Sequence, residues 1–364
     1  MGTITRSIAN NVLSNGTIDA TDGLTGTIPA SNLNNASISN LTAFPATVGD
    51  FVEATASDVA ASPSTVGQLF YNTTTGRLKG ITNLGGVWAS GGNLGTARYG
   101  IAGTGTQTEG LAIGGYSTTE IANTEEYDGS TWIAGGNLAT ARVALGGAGT
   151  QTAGLGFGGD TASGTASAAT EEYNGTSWTG GGTMGTARFG IASAGTQTAG
   201  LGFGGYNAGN STATEEYDGS TWTSGGSLGT ARRYGTGAGI QTAGLAFAGF
   251  IPPNSNATEE YDGSAWTAGG NLNTARRGAG GAGIQTAALG FGGITTIVIA
   301  NTEEYDGTSW TNSTSMATAR RNLGGCGTQT AGLGFGGYIT VASGVTNTEE
   351  YTDPTITTVT LTTS

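Results

Sequence analysis

The feature that most constrains the fold is a repeat of about 44 residues that runs through most of the chain. Its six tryptophans are spaced 44, 46, 44, 44 and 44 residues apart. Each is followed by a Thr-Ala-Arg motif (TAR), a Gly-rich run and a Thr-Glu-Glu-Tyr motif (TEEY). They are Trp88, Trp132, Trp178, Trp222, Trp266 and Trp310. A period of about 40 to 50 residues with strand-like segments and Gly turns is typical of a β-propeller or a solenoid.

Turn signals divide each repeat into four strands. A G(T/I)QT turn separates two apolar runs, a longer loop leads to TEEY, and an Asp-Gly or Asn-Gly pair precedes most of the tryptophans. Asp-Gly and Asn-Gly favour two-residue hairpins, because both central positions need positive φ. No apolar pattern with the 3.6-residue helical period has a useful length. The repeat therefore predicts four short strands and no helix.

The two ends of the repeat region predict how a ring would close. Six TAR and six TEEY motifs are present, but no Trp follows the last TEEY at 348–351. The missing Trp strand stands at the front, around Val87–Ser90. Joining it to the last unit would remove an open sheet edge, which otherwise invites aggregation. We predict an all-β, six-bladed propeller of four-stranded blades over residues 85–352, with an N-terminal strand closing the last blade.

The glycine content suits this architecture. The chain has 70 glycines among its 364 residues, yet aromatic residues recur in register, which is not typical of a disordered tract. Runs such as IAGTG and GAGGAG would fit the crowded axis of a propeller. Trp and Tyr would fill the wider space between blades, where large residues bury most area. Cys326, the one cysteine, replaces an alanine of another repeat and is predicted to be a small buried filler.

The order of these motifs resembles the kelch repeat. The shared pattern is a double Gly at the end of the second strand, then Tyr-Asp, then Trp, then an Arg ahead of the next blade. The resemblance covers six units, about three quarters of the chain, although the Gly content is higher and Lys rarer than is usual in kelch proteins. It implies a kelch-like propeller. The Gly-His and Trp-Asp signatures of WD-type propellers are absent.

Composition excludes several kinds of function. The chain has no histidine, which removes the commonest general base and transition-metal ligand, and with them a copper oxidase of the galactose-oxidase kind. A net charge of −13 argues against a nucleic-acid groove. No segment has the length of a membrane span or the pattern of a signal peptide. We expect no enzyme activity, no cofactor, no metal, no nucleic-acid partner and no membrane insertion.

Residues that recur in every repeat are predicted to be scaffold. In each Glu-Glu pair we expect one Glu to form a salt bridge with a TAR arginine and the other to be solvated. A ring of carboxylates that binds divalent cations is the alternative. The Gln of each G(T/I)QT turn is also assigned to the scaffold. With the six tryptophans, the structural arginines are Arg98, Arg142, Arg188, Arg232, Arg276 and Arg320.

Residues that vary between repeats are the candidate binding residues. The loops between the second and third strands of each unit are 8 or 10 residues long and differ in sequence, and they should share one face with the TAR loops. Binding residues gather on loops held by a rigid scaffold, although unconstrained drift would also produce variable loops. The candidates on these loops are Tyr116, Asp160, Tyr206, Phe250, Pro252 and Tyr338.

A second asymmetry is electrostatic. The residue after TAR is Tyr99, Val143 or Phe189 in the first three repeats. In the last three it is an arginine: Arg233, Arg277 and Arg321. Arginine suits bidentate recognition of carboxylate or phosphate, so an anionic glycan could bind there, whereas pairing with neighbouring acids is the expected structural role.

The first 84 residues differ in composition from the repeats. They are rich in Asn, Ser, Thr and Ala, and they include a predicted hairpin near residues 65–81. They resemble the N-terminal regions of bacteriophage tail-fibre and other virion-appendage proteins. That resemblance implies that residues 1–84 attach to other virion proteins or mediate oligomerisation, a homotrimer being favoured. Residues 353–364 form a C-terminal tail that could compete to close the last blade.

The sequence favours a phage virion structural protein, a tail fibre or capsid-surface fibre, located on the outer surface or tail of the particle. Its propeller would bind a host-surface glycan or protein. Three alternatives remain open: a purely structural decoration protein, a glycan-degrading enzyme, and a cellular adhesin or kelch-type scaffold.

Overall fold

A computed structural model describes residues 86–161, 164–339 and 343–353, together with 53–55, 69–72, 74–75, 77–82 and 357–360. The chain divides into two units, one of Gly86–Asp353 and a smaller one of Met1–Gly85 with Pro354–Ser364. Every regular element among these residues is a β-strand.

The described residues of the smaller unit include a four-stranded sheet. Its strands are β1 (Glu53–Thr55), β2 (Leu69–Asn72), β3 (Arg77–Thr82) and β28 (Thr357–Thr360), in the order β1-β2-β3-β28. β2 and β3 pair antiparallel, which confirms the predicted hairpin. β28 pairs with β3, so the C-terminal tail does not close the last blade. Most of residues 1–84 lie outside the described residues. The attachment role predicted for this segment therefore stays a prediction.

The larger unit is a six-bladed β-propeller of four-stranded antiparallel blades, as the repeat predicts. Blade 1 consists of β5 (Ala102–Gly105), β6 (Gly110–Ile113), β7 (Thr124–Tyr127) and β8 (Trp132–Ala134). Blade 2 consists of β9 (Gly146–Gly149), β10 (Gly154–Phe157), β11 (Thr170–Tyr173) and β12 (Trp178–Gly180). Blade 3 consists of β13 (Ala192–Thr196), β14 (Ala199–Phe203), β15 (Thr214–Tyr217) and β16 (Trp222–Ser224).

The other three blades repeat this order. Blade 4 consists of β17 (Thr236–Ile240), β18 (Ala243–Phe247), β19 (Thr258–Tyr261) and β20 (Trp266–Ala268). Blade 5 consists of β21 (Gly280–Ile284), β22 (Ala287–Phe291), β23 (Thr302–Tyr305) and β24 (Trp310–Ser313). Blade 6 consists of β25 (Gly324–Gly327), β26 (Ala331–Phe335), β27 (Thr348–Thr352) and β4 (Val87–Ser90).

The ring closes as the ends of the repeat predict. β4 pairs antiparallel with β27, and Trp88 lies opposite Tyr351. The indole Nε1 of Trp88 donates a hydrogen bond to Thr302 Oγ1 of blade 5 at 3.0 Å. The N-terminal strand thus takes the outer position of blade 6 and carries the same contact as the tryptophan of every other blade.

The innermost strands approach one another so closely that several positions admit only glycine. A Cβ on Gly103 would lie 2.7 Å from the carbonyl oxygen of Gly325, and one on Gly325 would lie 2.7 Å from the amide nitrogen of Gly281. Real Cβ atoms do not make such contacts with backbone. The high glycine content therefore follows from the packing at the axis.

Aromatic side chains fill the wider space between blades. Trp222 of blade 3 lies against Phe157 of blade 2, with ring centroids 4.7 Å apart. Its Nε1 donates to Thr170 Oγ1 of blade 2 at 2.9 Å, which satisfies the indole N–H on burial. Gln197 extends the same interface, since its side-chain amide donates to the carbonyls of Gly154 and Tyr173. The scaffold assignment of the turn glutamines is confirmed.

The first Glu of each TEEY motif pairs with the TAR arginine of the same blade, as predicted. In blade 3 the Nη2 atom of Arg188 lies 2.7 Å from Glu215 Oε1, and its Nη1 donates to two loop carbonyls. The six arginines are at most 2% exposed. A buried charge needs such partners. The pairs are Arg98–Glu125, Arg142–Glu171, Arg188–Glu215, Arg232–Glu259, Arg276–Glu303 and Arg320–Glu349.

The prediction that the second Glu is merely solvated is wrong. Its carboxylate accepts a hydrogen bond from the TEEY tyrosine of the next blade, as in Tyr217 to Glu172 at 2.5 Å and Tyr261 to Glu216 at 2.5 Å. The tyrosine ring is fully buried, so its hydroxyl needs a partner near the surface. Both carboxylates of each pair thus hold the ring together, rather than forming a ring of cation ligands.

Candidate binding face

The variable loops and the TAR loops lie on one face of the ring, as predicted. In each blade a backbone bridge joins the residue after TAR to the first residue of the variable loop. We call this surface the loop face. The bridged pairs are Tyr99–Tyr116, Val143–Asp160, Phe189–Tyr206, Arg233–Phe250, Arg277–Ile294 and Arg321–Tyr338.

A closed ring of backbone hydrogen bonds holds the loop face together. In every blade the second residue after TAR donates its N–H to the carbonyl of its counterpart in the preceding blade, at 2.7–2.9 Å. All six residues have positive φ, including Ala144, Tyr234 and Asn322 at 51–54°. This backbone is unfavourable for residues other than glycine, so the circle of bonds maintains it. The six residues are Gly100, Ala144, Gly190, Tyr234, Gly278 and Asn322.

Arg233 lies among aromatic rings. Its guanidinium carbon is 4.3 Å from the ring centroid of Tyr206 and 5.1 Å from that of Phe250. Cation–π contact at such distances is attractive. Neither an ion pair nor a hydrogen bond joins its guanidinium to another described residue, and its Nε is buried.

Arg277 also contacts the Phe250 ring, with its guanidinium carbon 4.6 Å from the centroid. Its Nη1 donates to Asn254 Oδ1 at 2.8 Å, and Asn254 in turn donates to the carbonyls of Ile294 and Thr295. Partial burial lowers the pKa of Arg277, and the guanidiniums of Arg321 and Arg233 lower it further. The charges of Arg233 and Arg321 therefore disfavour the protonated form of Arg277.

Arg321 continues the series in blade 6. Its guanidinium carbon lies 4.6 Å from the ring centroid of Tyr338. Tyr338 contacts Tyr99 at 5.3 Å between centroids, and Tyr99 contacts Tyr116 at the same distance. The loop face thus carries a tyrosine cluster where blade 6 meets blade 1.

The expected pairing of these three arginines with acids does not occur among the described residues. The carboxylates of the TEEY motifs are engaged by the buried TAR arginines and by tyrosine hydroxyls. Each of the three arginines instead makes a cation–π contact with an aromatic ring.

The other predicted residues are more dispersed. Asp160 is in blade 2, and its carboxylate accepts from the amide of Gly164 at 2.8 and 3.0 Å. Pro252 is exposed at the tip of the blade 4 loop. Sequence reasoning did not select Tyr234 and Asn254, which contact the arginines. The signal was present, because Tyr234 is the one large aromatic residue at its position in the repeat.

Cys326 is buried, as predicted, and burial raises the pKa of its thiol to about 12. Within the described part of the chain, no group of three His, Cys, Asp or Glu side chains could hold a metal ion. A search of the same residues for a helix long and apolar enough to cross a membrane finds none.

The larger unit of the chain is thus a six-bladed β-propeller whose variable loops lie on one face. No protein-family model matches the chain. A search of curated proteins likewise gives no match.

Proposed function

We propose that this protein is a structural component of a phage particle and that its propeller attaches to the host surface through the loop face. The observation that carries the proposal is the contrast between the two faces of the ring. Six loops of differing sequence meet on one face, and the repeated G(T/I)QT and Asp-Gly or Asn-Gly turns occupy the other.

The physics of the loop face supports a binding role. A face held by a closed ring of hydrogen bonds presents many side chains at low entropic cost on binding. Partly exposed aromatic residues and arginines lie there, and these residue types dominate binding energies at interfaces. Many copies on a particle would let weak contacts act together.

The particle assignment is supported by the N-terminal composition, which resembles that of virion appendages. In the proposal, residues 1–84 attach to other virion proteins and oligomerise, with a trimer favoured. The propeller is kelch-like, and the protein acts by binding rather than catalysis. The absence of histidine and the engagement of the TEEY carboxylates by Arg and Tyr support a non-enzymatic role.

The test is immunogold electron microscopy of purified particles from the source of this sequence, with antibody raised against the full chain. Label at the tail or its fibres is the expected result. Label spread over the capsid would instead support a surface fibre. Unlabelled particles that also lack the chain by mass spectrometry would overturn the virion assignment.

A second experiment addresses attachment. The purified full chain should adsorb to the host cells and compete with particles for adsorption. Substitution of loop-face residues should reduce this effect, and substitution on the opposite face, such as Thr242→Ala in a turn, should not. A chain that never adsorbs would support a purely decorative role.

A further inference from the structure

Three arginines form one continuous feature of the loop face, which we call the arginine arc: Arg233, Arg277 and Arg321. They occupy the same repeat position in blades 4, 5 and 6. The residues that follow them are joined directly, since Gly278 N–H donates to Tyr234 O at 2.9 Å and Asn322 N–H to Gly278 O at 2.7 Å. The arc is therefore fixed to the hydrogen-bonded ring of the loop face.

The arc carries positive charge that forms no ion pair with a described carboxylate. The six ion pairs among the described residues of the propeller all involve the TAR arginines. Two of the arc guanidiniums rest on the same Phe250 ring, although like charges repel. In a chain with net charge −13, such a cluster is unusual. Its stability would increase if an anion bound to it.

The guanidiniums of the arc have few hydrogen-bond partners among the described residues. Arg277 is held by the amide of Asn254, which is itself fixed by two backbone carbonyls. The guanidinium of Arg233 contacts the ring of Tyr206, and that of Arg321 contacts the ring of Tyr338. Neither guanidinium forms a hydrogen bond to a described residue. An arginine that stacks on a ring keeps its in-plane N–H groups available for bidentate bonds to a carboxylate.

Aromatic clusters flank the arc at both ends. Phe189 lies 5.3 Å from Tyr206 and 6.4 Å from Tyr234, between centroids, on the blade 3 side. Tyr99, Tyr116 and Tyr338 form the cluster on the blade 6 side. All these rings are partly exposed. Such rings can pack against the apolar faces of sugars, while their hydroxyls bond to sugar hydroxyls.

We propose that the arginine arc and its flanking aromatic clusters bind an acidic oligosaccharide whose carboxylates pair with Arg233, Arg277 and Arg321. The inference rests on the proposed attachment function and names the ligand class for it. Cations in a row favour a polymer with a carboxylate on successive sugars. The aromatic clusters at the ends favour a glycan over an acidic peptide.

The first test is isothermal titration of the full chain with three carboxylated oligosaccharides: oligogalacturonate, oligosialic acid and hyaluronan oligosaccharide. We expect at least one to bind. Its carboxyl-reduced counterpart, which has the same sugars without the charge, should bind at least about tenfold more weakly, because charged hydrogen bonds are lost. Failure of all three to bind, or equal binding of the reduced form, would overturn the proposal.

Substitutions locate the site. Arg277→Gln should weaken binding about tenfold or more, and Arg233→Gln or Arg321→Gln should weaken it severalfold. Arg77→Gln is the matched control, because it removes one positive charge from an exposed arginine of the smaller unit. Unchanged thermal stability shows that each variant is folded. Equal affinity of Arg277→Gln and the wild type would contradict the site, as would tighter binding to oligoglutamate.

Adsorption to host cells separates this inference from the proposed function. If Arg277→Gln adsorbs as well as the wild type, the attachment function stands and the arginine arc is not its site. If the wild type does not adsorb at all, the attachment function itself fails, whatever the titration shows.

Discussion

The blade interior and the loop face use the same amino acid in opposite ways. Arg276 is fully buried, pairs with Glu303 and donates to the carbonyls of Gly292 and Asn301. Arg277, the next residue, is partly exposed and rests on Phe250. The first type recurs in all six blades and the second in three. Residues that recur in every repeat therefore stabilise the ring, and residues that differ between repeats are the ones exposed on the loop face.

The largest expected effect breaks the interior. Arg276→Ala should lower the free energy of unfolding by about 3–5 kcal/mol, because Glu303 would be left buried without its cation. Chemical denaturation followed by tryptophan fluorescence measures it. Arg277→Ala is the adjacent control and should change stability by about 0.5 kcal/mol or less. Equal losses in the two variants would remove the distinction between the two arginines.

The ring closure gives the next effect. Trp88→Ala should cost about 3 kcal/mol or more, since Trp88 packs on Phe291 and Tyr351 and bonds to Thr302. Val87→Ala is the control on the same strand, because Val87 is 51% exposed. Thermal unfolding of both variants provides the comparison. A Trp88→Ala protein as stable as Val87→Ala would contradict closure by β4.

The tyrosines between blades predict sensitivity to alkali. Burial, and then the hydrogen bond to Glu216, raises the pKa of Tyr261 from 10.0 to about 12, and four equivalent tyrosines behave alike. The folded state favours the protonated phenol. The stabilisation from these groups should therefore be fully present below pH 10 and be lost as pH rises from 10 through 12.

The melting temperature measured as a function of pH, together with phenolate absorbance, tests this. Tyr261→Phe should lose about 1 kcal/mol near neutral pH and show a shallower decline above pH 10. Titration of every tyrosine of the folded protein at the pH of free tyrosine would disagree with burial at the blade interface, because the buried tyrosines should titrate at higher pH.

The smallest effect concerns the loop face alone. Val143→Arg places an arginine at the arc position of blade 2, where the backbone partner is Asp160. We expect a stability change within about 0.5 kcal/mol, because the position is partly exposed. Titration should show no gain in affinity for acidic oligosaccharides. A gain would mean that charge alone, rather than the arc with its aromatic clusters, determines binding.

Much of the fold could be predicted because the same motifs recur six times in the sequence. The Trp spacing and the missing last Trp together predict the blade number and the strand that closes the ring. The partner of the Tyr261 hydroxyl, Glu216 of the preceding blade, could not be predicted. Two adjacent glutamates on a strand are known only to point to opposite faces of the sheet. Which ring Arg277 stacks on was equally hidden, since Phe250 comes from the neighbouring blade.

The candidate site was predictable in outline only. Interruption of the repeat pointed to Arg233, Arg277 and Arg321, and loop variability pointed to Tyr206 and Phe250. Pairing with acids was expected from net charge, but charge balance says nothing about which side chains reach one another. The TAR arginines engage the first Glu of each TEEY motif, whereas aromatic rings are the neighbours of the arc.

Closure of blade 6 by β4 has a mechanical consequence. The polypeptide enters the propeller at Val87 and leaves it at Thr352, and these residues are paired neighbours on adjacent strands. The two chain segments that lead into and out of the propeller therefore start side by side. Traction on one segment alone would peel β4 from β27, one hydrogen-bonded pair at a time. Traction shared by both would load the ring as a whole.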